Sequence, residues 1–236
     1  MPDASIPSVL ITGSNRGLGL EWARQYAAAG WRVHATCRRP QEAKALQALA
    51  RSGAAVQLHR LDVTRPEEIA AVAQAVREPL DVLVLNAGVY LERERPCHLG
   101  ALRYEDWLES FRVNCLGAVR VLEALVERLA ASRRRLAVAI GTHMASLTDL
   151  SAPGSYYYRS SKAALHAAMR GLAHELRPRG VGVLLLHPGW VRTRMGGPQA
   201  PLEPAESVAG MRRLVDAFTL EQSGRFFRYD GTELPW

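Results

Sequence analysis

The chain has 236 residues, 48% hydrophobic and 22% charged, which is enough apolar material for one sizeable core. That balance, with no low-complexity tract, excludes a disordered chain, and no stretch reaches the roughly 18 to 20 unbroken apolar residues of a membrane span. The net charge of +7 raises the question of a nucleic-acid binder, but 28 of the 30 basic residues are arginines scattered among 23 acids along the whole chain. Such a pattern reads as a solvated surface and not as a nucleic-acid face. Cys37, Cys97 and Cys115 are odd in number and lack C-x-x-C spacing, and the seven histidines form no H-x-x-x-H pair. Neither a disulfide framework nor a metal site is expected. The start, MPDASIPSVL, carries an early acid and no apolar leader, so a cytoplasmic protein is predicted.

In chain order, apolar runs suited to strands fall at 8–12, 32–37, 55–60, 82–85, 136–141 and 181–187. VLIT, DVLVL and VGVLLL are apolar on both faces, as parallel strands covered by helices on each side must be. Between the strands lie segments of helical composition, among them 21–29, 66–77 and 156–176. Pro66 followed by Glu67 and Glu68 is a favourable first helical turn, with fixed φ and acids at the positive end of the dipole. Strand and helix alternate without a Pro/Gly/Ser linker, which predicts one α/β domain over 1–236: a doubly wound Rossmann-type fold with a mostly parallel sheet and helices on both faces.

The first strand runs into Thr12-Gly13-Ser14-Asn15-Arg16-Gly17-Leu18-Gly19, and a helical segment follows at once. Glycines there permit a sharp turn and close approach of backbone N–H groups to a pyrophosphate, and the helix N-terminus adds partial positive charge. Sites for NAD usually place an acid about 20 residues on, to hold the ribose hydroxyls. No acid occurs from Trp22 to Gln41, and the matching stretch is Thr36-Cys37-Arg38-Arg39. Guanidinium groups, with Arg16 joining them, suit a 2′-phosphate. NADP(H) is therefore the preferred cofactor, with NAD(H) as the alternative.

Tyr158-Arg159-Ser160-Ser161-Lys162 places a phenol and one of only two lysines four residues apart, on one face of a helix. A phenol near pKa 10 is a poor acid–base group at neutral pH, and a neighbouring ammonium is expected to pull it down by about one to three units.

Taken together these motifs resemble the short-chain dehydrogenases/reductases, over essentially the whole chain and in the right order. Residues 12–19 look like the family's T-G-x-x-x-G-x-G, Asn86-Ala87-Gly88 like its N-A-G, and Tyr158 to Lys162 like its Y-x-x-x-K. The resemblance implies that Asp62 and Val63 hold the adenine and that Asn114 belongs to a proton relay through a water near the lysine. It further implies that Pro188, Gly189, Val191 and Thr193, in a P-G-x-x-x-T loop, hold the nicotinamide carboxamide. By its place at the end of the fifth strand, Thr142 matches a serine that donates to the substrate oxygen, with Ser146 as the alternative. Arg194 stands where relatives of this loop usually carry an acid. The ending, Thr219-Leu220-Glu221 through Tyr229-Asp230-Gly231 to Leu234-Pro235-Trp236, is similar to the C-factor-like subgroup. The resemblance thus implies an oxidoreductase that reversibly reduces a ketone or aldehyde, working as a homodimer or homotetramer. A cofactor-binding regulatory or signalling protein with vestigial catalysis is the alternative. Residues 194–211, rich in Gly and Pro, are expected to form a mobile lid over a small-molecule substrate.

Overall fold

The structure, a computed structural model, describes residues 6–236. The first five residues, on which the expectation of a leaderless start partly rests, lie outside the described residues. The first half of the chain alternates β1 (Ser8–Ile11), α1 (Gly17–Ala28), β2 (Arg32–Cys37), α2 (Lys44–Arg51), β3 (Val56–Arg60), α3 (Pro66–Ala75) and β4 (Val82–Leu85). The second half adds α4 (Tyr104–Phe111), α5 (Gly117–Ala130), β5 (Leu136–Ile140), α6 (Tyr156–Leu176), β6 (Gly182–His187), α7 (Pro204–Asp216) and β7 (Phe226–Arg228). The strands form one sheet in the order β3-β2-β1-β4-β5-β6-β7, and every neighbouring pair is parallel. The expected doubly wound fold is what the chain adopts. All six predicted strands form within a residue at either end, and only the three-residue β7 has no counterpart in the sequence reading.

Apolar residues on both faces of the central strands feed two separate cores. Leu10, Leu83, Leu85 and Leu185 point to one side, where α3, α5 and α6 supply Ile69, Leu122 and Leu165. Val9, Ile11, Val82, Val84 and Leu186 point to the other, where α1, α2 and α7 supply Trp22, Leu46 and Met211. Successive side chains on a strand alternate faces, so a run with no polar residue is the only pattern that fills both layers. The order of strands reverses between β1 and its neighbours β2 and β4, and this opens a crevice at their C-terminal ends, where doubly wound sheets take ligands.

The predicted lid is not one loop. Residues 204–211 belong to α7, where Pro204 takes a first-turn position and Val208 and Met211 are fully buried. Only 194–203 remain outside helices, and Leu202 in that stretch forms a parallel bridge to Val191. Pro204 starts a helix for the same reason that Pro66 does: its fixed φ suits the first turn, where its missing N–H would have no partner anyway. No helix among the described residues is long and apolar enough to cross a membrane.

Candidate active site

Residues 12–19 carry the chain from β1 into α1. Gly13 takes a left-handed φ of +71°, and at Gly19 any Cβ would collide with the Gly13 carbonyl oxygen, so only glycine fits the second position without rebuilding the turn. Ser14 is buried, donating its hydroxyl to Ile11 O at 2.7 Å and its N–H to Thr36 O at 2.8 Å. It closes the turn and leaves Asn15 and Arg16 exposed. From β4, Asn86 Nδ2 donates to Thr12 O at 2.9 Å and to Gly13 O at 3.3 Å, while the N–H groups of Asn86 and Ala87 both donate to Thr12 Oγ1 at 2.9 Å. No side chain caps α1, and its first turn holds no acid. Its leading N–H groups, those of Gly17, Leu18 and Gly19, have no intrahelical acceptor and form a seat with positive partial charge. That seat fits the pyrophosphate of a dinucleotide.

Positive charge gathers beside the seat. Burial lowers the Arg16 pKa, and the facing guanidiniums of Arg194 and Arg38 lower it further, so three arginines crowd one place. Among the described residues none of the three makes a salt bridge, whereas Arg39 pairs with Glu42. The two neighbouring arginines of the sequence motif are thereby separated: Arg38 belongs to the cluster and Arg39 to the surface. Asp62 accepts both the N–H and the hydroxyl of Thr64, at 3.0 and 2.7 Å. Burial works against its carboxylate, but these bonds together with Arg38 and Arg65 hold its pKa below the ordinary value. Val63 does not open onto the crevice: its side chain is buried in the core against Gly117.

The second cluster stands at the ends of β4 and β5 and on α6. Tyr158 and Lys162 are both buried on α6. The Thr142 side chain stands close enough to the phenol to lower its pKa, and its hydroxyl accepts the Met144 N–H at 3.2 Å. Ser146 takes no part, since its buried hydroxyl donates to Trp236 O at 2.9 Å. Lys162 Nζ donates to Ile140 O at 2.8 Å and lies beside Gly88. Asn114 sits fully buried in a π-helical turn, Arg112–Leu116, just before α5. Its Oδ1 accepts Val89 N–H at 2.7 Å, and its Nδ2 donates to Val89 O at 2.9 Å and Ser161 Oγ at 3.0 Å. The side chain therefore pins the segment after β4 to α6, with both of its N–H donors in use.

One expectation is corrected in physical terms. Burial pushes the Tyr158 phenol up to about 12, against the lowering by Thr142, and Tyr90 and Glu92 push it the same way as burial. Burial also lowers Lys162 to about 8, with Cys115 opposing. Burial sets the phenol's pKa, and Lys162, whose Nζ is engaged by Ile140 O, is not among the groups that shift it.

Two residues that the sequence reading passed over join this cluster. Tyr90 stacks on Tyr158 and shares a hydrogen bond with Ser155. Glu92, only 4% exposed, accepts the Tyr158 N–H on Oε1 at 2.6 Å, while its Oε2 is buried without a partner among the described residues. The one available signal was their place directly after the N-A-G stretch.

The loop after β6 completes the crevice. Pro188 O accepts the Ser207 hydroxyl at 2.7 Å, Gly189 takes a φ of +80°, and Val191 is buried. Thr193 lies against Gly17 and accepts the Gly196 N–H at 3.0 Å, which brings this loop to the glycine turn. Arg93, from the segment after β4, donates to Arg194 O at 2.5 Å and so ties 194–203 across to it.

A dinucleotide seat at the switch point of a doubly wound sheet, joined through Asn86–Gly88 to a buried tyrosine–threonine–lysine cluster, defines an NAD(P)-dependent dehydrogenase/reductase. Residues 7–203 match the family model for short chain dehydrogenase, and the chain belongs to that family. It is 46% identical over 158 residues to C-signal of Myxococcus xanthus, covering 67% of this chain and 93% of that protein. Its fold matches the carbonyl reductase Sniffer of D. melanogaster with a TM-score of 0.91 at 28% identity, covering 98% of this chain and 100% of that one. It also matches an NADPH-bound carbonyl reductase from chicken fatty liver with a TM-score of 0.90 at 30% identity, covering 98% and 99%.

Proposed function

We propose that the protein is an NADP(H)-dependent carbonyl reductase that interconverts a ketone or aldehyde and its alcohol, with Tyr158 as general acid and base. The observation that carries this reading is the burial of Tyr158 and Lys162 one turn apart on α6, with Thr142 at the end of β5 near enough to act on the phenol. A bound nicotinamide dinucleotide supplies the hydride. Tyr158, protonated at neutral pH, gives its proton to the carbonyl oxygen, and Thr142 donates a hydrogen bond to the same oxygen. Lys162 holds the ribose hydroxyls with the N–H groups it does not use on Ile140, and Asn114 keeps the segment after β4 in place beside a water path to solvent. The turn from Gly13 through Ser14, Asn15, Arg16, Gly17 and Leu18 to Gly19 holds the pyrophosphate, while Arg38 and Arg16 take the 2′-phosphate. Asp62 and the main chain of Val63 border the adenine, Asn86, Ala87 and Gly88 the ribose, and Pro188, Gly189, Val191 and Thr193 the carboxamide. Residues 194–203 cover a small-molecule substrate. The family resemblance also supports a cytoplasmic homodimer or homotetramer.

Reduction of a panel of ketones and aldehydes, followed by loss of reduced-nicotinamide absorbance, tests this reading. Tyr158→Phe is expected to bind NADPH normally and to lose turnover, and undiminished rates in that variant would overturn the mechanism. The likeness to C-signal favours a second reading, a signalling protein that binds the cofactor with vestigial catalysis. Tight NADPH binding with no oxidation across the panel would favour it.

A further inference from the structure

Glu92 is an acid where the fold gives an acid little reason to be. It belongs to the segment that leaves β4, 66 residues before Tyr158, and it is 4% exposed. Oε1 accepts the Tyr158 N–H, a first-turn donor of α6 with no acceptor in its own helix. Oε2 is buried with no partner among the described residues. Leaving a carboxylate oxygen buried and unpaired is costly, and a neutral glutamine would bond the same N–H without burying a charge.

We propose that Glu92 is a positioning residue for Tyr158, holding the first turn of α6 through its carboxylate and setting the charge that the phenol faces. The inference rests on Tyr158 being the proton donor. An anion at a helix N-terminus is stabilised by the leading N–H groups, and the same negative charge opposes formation of phenolate nearby. The charged or titratable groups around the phenol are few. Tyr90 and Glu92 face it from the segment after β4, and Lys162 stands one turn along its own helix, itself facing Cys115 and His166. Among the described residues Glu92 is the one acid that faces the phenol. It holds Tyr158 in the protonated form that carbonyl reduction consumes and fixes its backbone N–H, while Tyr90 stacks on the ring.

The test is a tyrosinate absorbance titration of the NADP⁺-saturated protein, with Tyr158→Phe as the subtraction that isolates this phenol. In Glu92→Gln, which keeps an acceptor for the Tyr158 N–H, the midpoint is expected to move to lower pH by about half a unit to one unit. The alkaline limb of NADPH-dependent ketone reduction should move with it. Glu94→Gln, on the exposed part of the same segment, should move neither. An unchanged midpoint in Glu92→Gln overturns the proposal, even if melting shows a loss of stability. Amide hydrogen exchange of the wild-type protein gives a readout that needs no variant: a rapidly exchanging Tyr158 amide likewise overturns it. Full reductase activity in Tyr158→Phe would instead strike the proton-donor reading, so the two failures are distinguishable.

Discussion

The ring of Tyr90 lies against that of Tyr158, centroids 4.5 Å apart and planes 23° from parallel. The stack joins the segment after β4 to α6, and aromatic pairs of this kind contribute about 0.5 to 1.5 kcal/mol beyond their buried area. Tyr90→Phe, which keeps the ring and loses only the Ser155 hydrogen bond, should retain most turnover. Tyr90→Ala should lower both the melting temperature and kcat, as thermal unfolding and steady-state rates will show.

Thr142 carries two duties, the phenol contact and the Met144 N–H. Serine can perform both, so Thr142→Ser should keep kcat within severalfold of wild type. Thr142→Ala removes a donor aimed at the reacting oxygen and should cost on the order of 10²- to 10³-fold in kcat. Ser146→Ala, which loses the bond to Trp236 O and the one from the Asp149 N–H, should leave kcat close to wild type. Steady-state kinetics on the three variants tests the assignment.

Arg16 and Arg38 converge beside the glycine turn, and among the described residues neither makes a salt bridge. Hydrogen bonds to charged groups are worth about 1.5 to 3 kcal/mol, so Arg38→Ala should cut the preference for NADPH over NADH by roughly ten- to hundredfold. The ratio of kcat/KM for the two cofactors is the measurement, and an unchanged ratio would exclude Arg38 from 2′-phosphate recognition.

Gly19 touches the carbonyl of Gly13 so closely that a methyl group has no room. Because the obstruction is backbone, relief requires moving the turn itself. Gly19→Ala should abolish NADPH binding by calorimetry and lower stability by about 1 to 3 kcal/mol in denaturant titration.

Acid should weaken the fold through two buried histidines. Burial first, then Lys162 and His187 for His166, and His143 and Arg228 for His187, lower both pKa values to about 3. The folded chain keeps these rings neutral while the unfolded chain protonates them near 6.5. Between those values the unfolded state binds more protons, and stability falls as pH drops. Each ring contributes a slope of about 1.4 kcal/mol per pH unit in that window. Melting temperatures across the acid range should decline less steeply in His187→Asn than in wild type.

Local spacing made much of this molecule legible. The glycine turn, the four-residue interval from Tyr158 to Lys162 and the two-faced apolar strands all declare themselves within a few residues of sequence, and each appears where it was expected. What escaped depends on distance or burial. Glu92 meets Tyr158 across 66 residues, and no local pattern distinguishes it from the exposed Glu94. The presence of Lys162 was readable, but the burial that raises the phenol's pKa was not. Strand β7 offers only three residues, with its register supplied by β6. Pro204 was read as part of a loop because the preceding residues are rich in Gly and Pro, although the signal that opened α3 at Pro66 was present there too.

The bonds from Asn86 to Thr12 and Gly13 need no ligand, only the adjacency of β1 and β4. The shape of the turn is thus fixed by bonds within the sheet. On the proposed reading, association has little loop entropy to surrender, and discrimination between dinucleotides would fall to Arg16 and Arg38.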